Sequence, residues 1–122
     1  MSKKRFSIDE NYLILTTQEL VRINSTNPSL SVDGKGESDT AAYIEMRMQE
    51  LGLDVKRSEI APRRENVVGI LKGSGRGRSL LLNAHVDTVG VDGMTINPFG
   101  GELRNGRIYG RGAQDMKASA AA

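Results

Sequence analysis

The chain has 122 residues, which is enough for one domain or for part of one. Its composition, 38% hydrophobic and 26% charged residues, is globular and excludes a disordered tail. No apolar run approaches the roughly 20 residues that a membrane-spanning helix needs, so no membrane partner is expected. The absence of cysteine excludes disulfides, thiolate zinc ligands and cysteine nucleophiles.

Charge and targeting signals narrow the functional classes further. Seventeen basic and fifteen acidic residues leave a formal charge of +2, and three tyrosines and two phenylalanines offer few rings for base stacking. We therefore expect no nucleic-acid partner. The basic start Lys3–Arg5 is followed at once by acidic and polar residues instead of a signal-peptide core. A cytoplasmic location is the corresponding expectation.

Two helices are predicted in the first half of the chain. Ser7 with Glu10 forms a capping box, which predicts a helix that ends near Asn24, before the loop residues that follow. Apolar residues at helical spacing predict a second helix over 39–51, with Gly52 as its C-terminal cap.

Strand patterns follow the helices. Alternation predicts a strand over 53–60, and a second strand is predicted over 66–72. A glycine-rich turn at 73–78 leads to 79–84, which is predicted as a buried strand. Asn105–Gly106 is the strongest short hairpin signal in the chain. Together with a helix start over 115–122, this order of elements predicts an α/β fold.

A histidine and an aspartate follow the predicted buried strand. In extended chain, residues i and i+2 face the same side, so His85 and Asp87 are predicted to project together, and α/β sheets place ligands beyond such strand ends. Imidazole is a common zinc ligand, and a nearby carboxylate can fix its tautomer. The alternative is an ordinary histidine that is satisfied in the core or on the surface.

A second acidic residue stands where a helix is predicted to begin. Asp115 follows Gly110 and Gly112, and glycines let the backbone approach a ligand closely. Asp115 could be an ordinary helix cap or a carboxylate that bridges two metal ions. The long connection over 88–101, rich in turn-forming residues, would return the chain from His85 to Asp115, and such loops are more often functional than structural.

Three segments resemble one family of zinc-dependent amidohydrolases and metallopeptidases. They are 82–89 (Leu-Asn-Ala-His-Val-Asp-Thr-Val), 97–117 (from Asn-Pro-Phe to Gln-Asp-Met-Lys) and 24–28 (Asn-Ser-Thr-Asn-Pro). This family includes acetylornithine deacetylase, succinyl-diaminopimelate desuccinylase, aminoacylase and carboxypeptidase G. The resemblance implies the N-terminal part of a three-layer αβα catalytic domain with a mixed sheet, extending over residues 1–122.

The resemblance also implies roles for three matched residues. His85 is similar to a ligand of one metal ion, and Asp115 to the carboxylate that bridges two zinc ions, for which cobalt is a substitute. Asp87 is similar to the catalytic residue that orients the histidine without necessarily binding metal. The implied reaction is hydrolysis of the amide bond of an N-acyl amino acid or a small peptide in amino-acid metabolism, by an enzyme expected to be a homodimer.

The family pattern is incomplete in this sequence. Its general-base glutamate, from a Glu-Glu pair, and its remaining ligands all lie beyond the Asp-Met-Lys motif, whereas only five residues follow Lys117 here. We therefore expect a fragment without deacylase activity of its own, with apolar surface left uncovered by the missing part. The acyl group and the amino acid of the substrate are not specified by the sequence.

Two other functions fit parts of the sequence. The first is a small non-catalytic module that is derived from this fold and keeps a metal or peptide pocket. The second is a nucleotide-binding unit built on the glycines of 73–78. The second fails on spacing, because Arg78 stands where the dinucleotide fingerprint needs its third glycine.

Overall fold

The computed structural model describes residues 7–122, so the basic start Lys3–Arg5 lies outside the described residues. The elements along the chain are α1 (Glu10–Arg22), α2 (Ser38–Glu50), β1 (Asp54–Ala61), β2 (Arg64–Ile70), β3 (Glu102–Arg104), β4 (Arg107–Tyr109), a π-helical turn (Ala113–Lys117) and α3 (Ala118–Ala121). This mixture confirms the α/β class. Two antiparallel pairs and one parallel bridge between Thr26 and Thr88 are consistent with part of a three-layer domain that has a mixed sheet.

Helix α1 begins later than the capping box predicted. Its N-cap is Asp9, whose carboxylate accepts a hydrogen bond from the backbone N–H of Tyr12 at 3.0 Å. Aspartate is as good an N-cap as serine, and from this position it reaches a free N–H of the first turn. The predicted cap at Ser7 is therefore wrong, although the helix itself is confirmed and ends at Arg22.

Helix α2 packs on the hairpin formed by β1 and β2. The helix agrees with the prediction to within one residue at each end, and Gly52 follows it with a φ of 80°. Gly69 on β2 lies directly beneath the helix, because a Cβ built there would be 2.7 Å from the sulfur of Met48. A side chain at this position would separate the two elements.

The β1–β2 connection was not anticipated from the sequence. The strands pair antiparallel from Asp54–Ile70 to Ala61–Arg64, so Pro62 and Arg63 alone form the loop. Arg63 adopts a φ of 61°, which is uncommon for a residue with a side chain. The sequence has no glycine or asparagine at this turn. The prediction places β2 two residues too late, at 66–72, and β1 one residue too early, at 53–60.

The predicted buried strand over 79–84 is wrong. Within the described part of the chain, these residues pair with no strand, and Leu80, Leu81 and Leu82 are more than 80% exposed. A buried strand requires hydrogen-bonded neighbours at its edges and cover on its faces. The apolar sequence is strand-like, but the described residues supply neither.

Few large apolar side chains are enclosed. Among residues 7–122 the buried hydrophobic residues are Leu20, Val21 and Ala41. The accessible surface is 9272 Å². A folded monomer of 13.3 kDa exposes about 6,500 Å² on average. A continuous apolar segment such as Leu80–Leu82 is the kind of surface that promotes association.

We therefore expect the 122-residue chain to self-associate at micromolar concentration. Replacing Leu80, Leu81 and Leu82 together with serine should reduce this association, as measured by sedimentation velocity. Val32→Ser is the matched control, since Val32 is fully exposed and lies outside this segment in the sequence. A monodisperse monomer with a cooperative thermal transition before any substitution would contradict the expectation.

The second hairpin is confirmed. Strands β3 and β4 pair from Glu102–Tyr109 to Arg104–Arg107, with Asn105 and Gly106 both at positive φ, as a tight hairpin of this kind requires. The hairpin returns the chain from the long 88–101 connection toward the π-helical turn. Among residues 7–122, no helix combines the length and the apolarity needed to cross a membrane.

Candidate active site

The segment that carries His85 and Asp87 is held by the loop after α1. The N–H of Asn27 donates to the carbonyl oxygen of Thr88 at 2.8 Å, and the N–H of Thr88 donates to that of Ser25 at 3.0 Å. The hydroxyl of the fully buried Ser25 donates to the carbonyl oxygen of Val86 at 2.6 Å. These bonds fix residues 86–88 as a short parallel partner of 25–27.

Asp115 reaches the same place from the opposite end of the chain. It lies in the π-helical turn, and its Oδ1 is 2.9 Å from Nε2 of His85. Gly112 at the start of this turn adopts a φ of 83°, and the Asp115–Met116 peptide bond is cis. The predicted helix start is thus a distorted turn followed by the short helix α3.

The imidazole of His85 stands between two acidic residues. Its Nδ1 is 3.1 Å from the backbone oxygen of Asp87 and 3.4 Å from the carboxylate Oδ1 of the same residue. The ring is about half exposed, whereas the carboxylate of Asp115 is 86% exposed. The structure therefore brings together all three residues that the sequence singled out.

The pKa of the His85 imidazole follows from this arrangement. Partial desolvation on its own lowers the pKa of His85. The hydrogen bonds to Asp115 and to the backbone of Asp87, together with the two negative charges, outweigh that effect and leave the pKa above its usual value. The two acidic residues therefore favour the protonated form of the ring.

Lys117 anchors the turn that carries Asp115. Its side chain is buried, and its Nζ donates to the carbonyl oxygens of Leu20 at 2.7 Å and Ile23 at 2.6 Å. A cation is favourable at the C-terminal end of α1, because the negative end of the helix dipole lies there. Burial lowers the pKa of Lys117 to about 8.

Asn27 is, after Lys117, a second residue that supports the site and whose role the sequence did not indicate. Its side-chain Nδ2 donates to Oδ2 of Asp87 at 2.8 Å. Asn27 lies within the 24–28 motif, but it is 60 residues from Asp87. For Lys117 the acceptors are 97 and 94 residues away. No local spacing rule could have joined these residues.

A cavity of about 450 Å³ lies against the three residues. Its wall includes His85, Asp87 and Asp115, the backbone around Gly112, and Leu30. The volume is in the range of small-molecule sites. Its lining combines these polar side chains with the apolar Leu30 and Val89, as in sites for small molecules.

The donor set at the cavity suits a zinc ion by type but not by number. Imidazole nitrogen and carboxylate oxygen are both common zinc ligands, and His85 and Asp115 present one of each at contact distance. Among residues 7–122, however, no group of three or more histidine, aspartate and glutamate side chains is arranged to hold a metal ion. The pair fits zinc by type and falls short of the three protein ligands that catalytic sites use.

Comparisons with known proteins indicate the family of the chain. Residues 81–122, which contain all three site residues, match the sequence model of Peptidase family M20/M25/M40. The chain is 36% identical over 108 residues to the N-formyl-4-amino-5-aminomethyl-2-methylpyrimidine deformylase of Halalkalibacterium halodurans, a match that covers 84% of the chain and 25% of that protein.

Two further relatives agree with this class. The succinyl-diaminopimelate desuccinylase of Cereibacter sphaeroides is 33% identical over 115 residues, which are 89% of the chain and 27% of that enzyme. An uncharacterized metallohydrolase of Methanocaldococcus jannaschii is 31% identical over 110 residues, which are 80% of the chain and 26% of that protein. The chain thus spans about a quarter of the length of these curated relatives.

These relatives are named as a deformylase, a metallohydrolase and a desuccinylase, all of them hydrolases. Within that class the chain belongs to the M20 family of amidohydrolases, as the resemblance of its three motifs predicted.

Proposed function

We propose that residues 1–122 form the N-terminal portion of the metal-binding catalytic domain of a zinc-dependent amidohydrolase. The single observation that carries the proposal is the convergence of His85, Asp87 and Asp115 on one cavity, although the chain between the first and the last of them makes a long excursion. The substrate proposed is an N-acyl amino acid or a small peptide, whose amide bond is hydrolysed.

In the proposed site, His85 through Nε2 and Asp115 through its carboxylate hold metal. Two zinc ions, or cobalt in their place, would supply a water of lowered pKa and polarise the carbonyl group of the amide. The high exposure of the Asp115 carboxylate leaves it free to contact more than one partner. Further ligands and the general base are expected from parts of the protein beyond residue 122.

Asp87 acts in this proposal through His85. A proton on Nδ1 donates toward Asp87, so the lone pair of the neutral ring is on Nε2, the atom that faces Asp115. A carboxylate behind a ligating imidazole both fixes the ring orientation and makes it a better ligand. Asp87 therefore determines which nitrogen is available for binding.

The relatives support the substrate class. One is named for removing a formyl group and another for removing a succinyl group, and both names describe small acylated molecules. We extend this to hydrolysis of an acyl-amide bond in amino-acid metabolism. A homodimeric assembly and a cytoplasmic location belong to the same proposal.

The test is an assay of the full-length protein that contains residues 1–122, with N-formyl, N-acetyl and N-succinyl amino acids as substrates. Chelator-treated protein should regain hydrolysis when Zn²⁺ or Co²⁺ is added. His85→Ala and Asp115→Ala should each lower kcat/KM by about 1,000-fold or more, because each removes a metal ligand. Asp92→Ala, which removes an exposed carboxylate of the 88–101 connection, is the matched control.

The 122-residue chain alone is expected to hydrolyse none of these substrates. Zinc binding by the full-length protein without hydrolysis of any amide would support the alternative, a non-catalytic metal- or peptide-binding module. Full activity in His85→Ala or Asp115→Ala would exclude the proposed site.

A further inference from the structure

A line of polar contacts runs from Asp87 away from the cavity and into the fold. Nδ2 of Asn27 donates to Oδ2 of Asp87 at 2.8 Å, and Nη1 of Arg64 donates to Oδ1 of Asn27 at 3.1 Å. Nε of Arg64 lies 2.7 Å from Oε2 of Glu37, an ion-pair contact that is not aligned as a hydrogen bond. Four side chains from four parts of the chain are thus joined in series.

The line of polar contacts ends at Glu37, which is held in place by burial and hydrogen bonding. The side chain of Glu37 is only 6% exposed, and a carboxylate so buried requires a charged or hydrogen-bonding partner. Glu37 immediately precedes α2, and its N–H donates to the carbonyl oxygen of Arg63 at 2.7 Å. Arg64, at the start of β2, is thereby held between α2 and the loop that contains Asn27.

The chemistry of the contacts fixes the orientation of the Asn27 amide. A guanidinium group can only donate and an ionised carboxylate can only accept, so the amide oxygen must face Arg64 and the amide nitrogen must face Asp87. The N–H of Ser29 donates to the same amide oxygen at 2.8 Å, which independently requires this orientation. A reversed amide would place like groups together at all three contacts.

The orientation has a consequence at the site. One carboxylate oxygen of Asp87, Oδ2, accepts from Asn27, while the other, Oδ1, lies nearer to Nδ1 of His85. A carboxylate held at one oxygen presents the other in a fixed direction. Asn27 therefore acts on the imidazole without touching it.

We infer that Asn27 and Arg64 are positioning residues of the metal site: they aim the Asp87 carboxylate at Nδ1 of His85 and so keep Nε2 free to bind metal. This inference rests on the proposed function. The inference goes beyond the proposed function because it assigns roles to Asn27 and Arg64. Neither of these residues contacts Asp115 or Nε2 of His85.

The test uses the full-length protein and the variant Asn27→Asp. An aspartate keeps acceptors for Arg64 and Ser29 but replaces the donor to Asp87 with a negatively charged oxygen. The expected result is zinc affinity lowered about 10- to 100-fold, measured by competition with a chelating indicator. In zinc-saturated protein, kcat should fall while KM for the amide substrate is unchanged.

Asn24→Ala is the matched control for the loop. Asn24 accepts from the N–H and the hydroxyl of Thr26 in the same loop, but it has no contact with Asp87. A purely structural role of the loop would make Asn24→Ala as damaging as Asn27→Asp. Arg64→Lys is a second variant: it keeps the positive charge beside Glu37 but loses the planar group that reaches Asn27, and its zinc affinity should also fall.

A double-mutant cycle with Asp87→Ala makes the inference specific. If Asn27 acts through Asp87, Asn27→Ala should change zinc affinity by less than 2-fold once Asp87 is already replaced. Additive effects, or wild-type affinity in both Asn27→Asp and Arg64→Lys, would overturn the positioning role and leave the proposed function intact. Failure of the wild-type protein to bind zinc or cobalt would overturn both.

Discussion

Replacing Lys117 with alanine is expected to lower the free energy of unfolding by about 3 kcal/mol or more. The substitution removes two hydrogen bonds to carbonyl oxygens at the end of α1, at Leu20 and Ile23, and leaves a cavity where a fully buried side chain stood. Urea denaturation of the full-length protein, followed by far-ultraviolet circular dichroism, measures the loss.

Two further variants separate the causes of the Lys117 effect. Lys72→Ala is the surface control, since Lys72 is exposed, and it should change stability by less than about 0.5 kcal/mol. Lys117→Met retains the apolar stem and also removes a charge that burial disfavours, as its lowered pKa indicates. Lys117→Met should therefore lower the free energy of unfolding by about 1 kcal/mol, less than Lys117→Ala does. Equal stability of Lys117→Ala and Lys72→Ala would show that the anchor contributes nothing.

The second large effect is expected for Gly112→Ala. Gly112 adopts a φ of 83°, where a side chain costs about 1–2 kcal/mol. A Cβ at this position would also lie 2.7 Å from Cγ2 of Thr88 and 3.2 Å from Cδ of Lys117, both in the buried interior. The turn must then move, and it carries Asp115 away from His85. We expect a loss of about 2–4 kcal/mol and a matching loss of zinc affinity in the full-length protein.

Gly52→Ala is the matched control for backbone strain. Gly52 has nearly the same φ, 80°, but in the described part of the chain no atom lies within 4 Å of a Cβ built there. It should therefore show the conformational cost, about 1–2 kcal/mol, without the steric one and without an effect on zinc affinity. Identical stability and affinity in the two glycine variants would contradict the close packing of the Asp115 turn.

Local patterns predicted local structure well. Helical spacing located α2, and Asn105–Gly106 located the second hairpin, because each depends on neighbours in sequence. The errors have physical reasons as well. Asp9 competes with Ser7 as a cap, and the Leu80–Leu82 segment has a strand-like sequence but depends on strand partners that residues 7–122 do not supply.

The candidate site was predictable to the extent that motifs carry it. His85 and Asp87 are two residues apart, so their contact follows from backbone geometry, and the family motif joined Asp115 to them. Asn27, Arg64 and Lys117 could not be found in this way. Each acts through hydrogen bonds to residues far away in sequence, and only the fold shows which partners meet.

The parallel bridge between Thr26 and Thr88 also bears on how the site forms during folding. It closes a loop of about 60 residues, whereas α1, α2 and the β1–β2 hairpin depend on contacts that are near in sequence. Closing a long loop costs chain entropy before any contact compensates for it, so such pairings form slowly. A chain that has formed only its local elements has not assembled the proposed metal site, and its ability to bind metal therefore reports on completion of this long-range pairing.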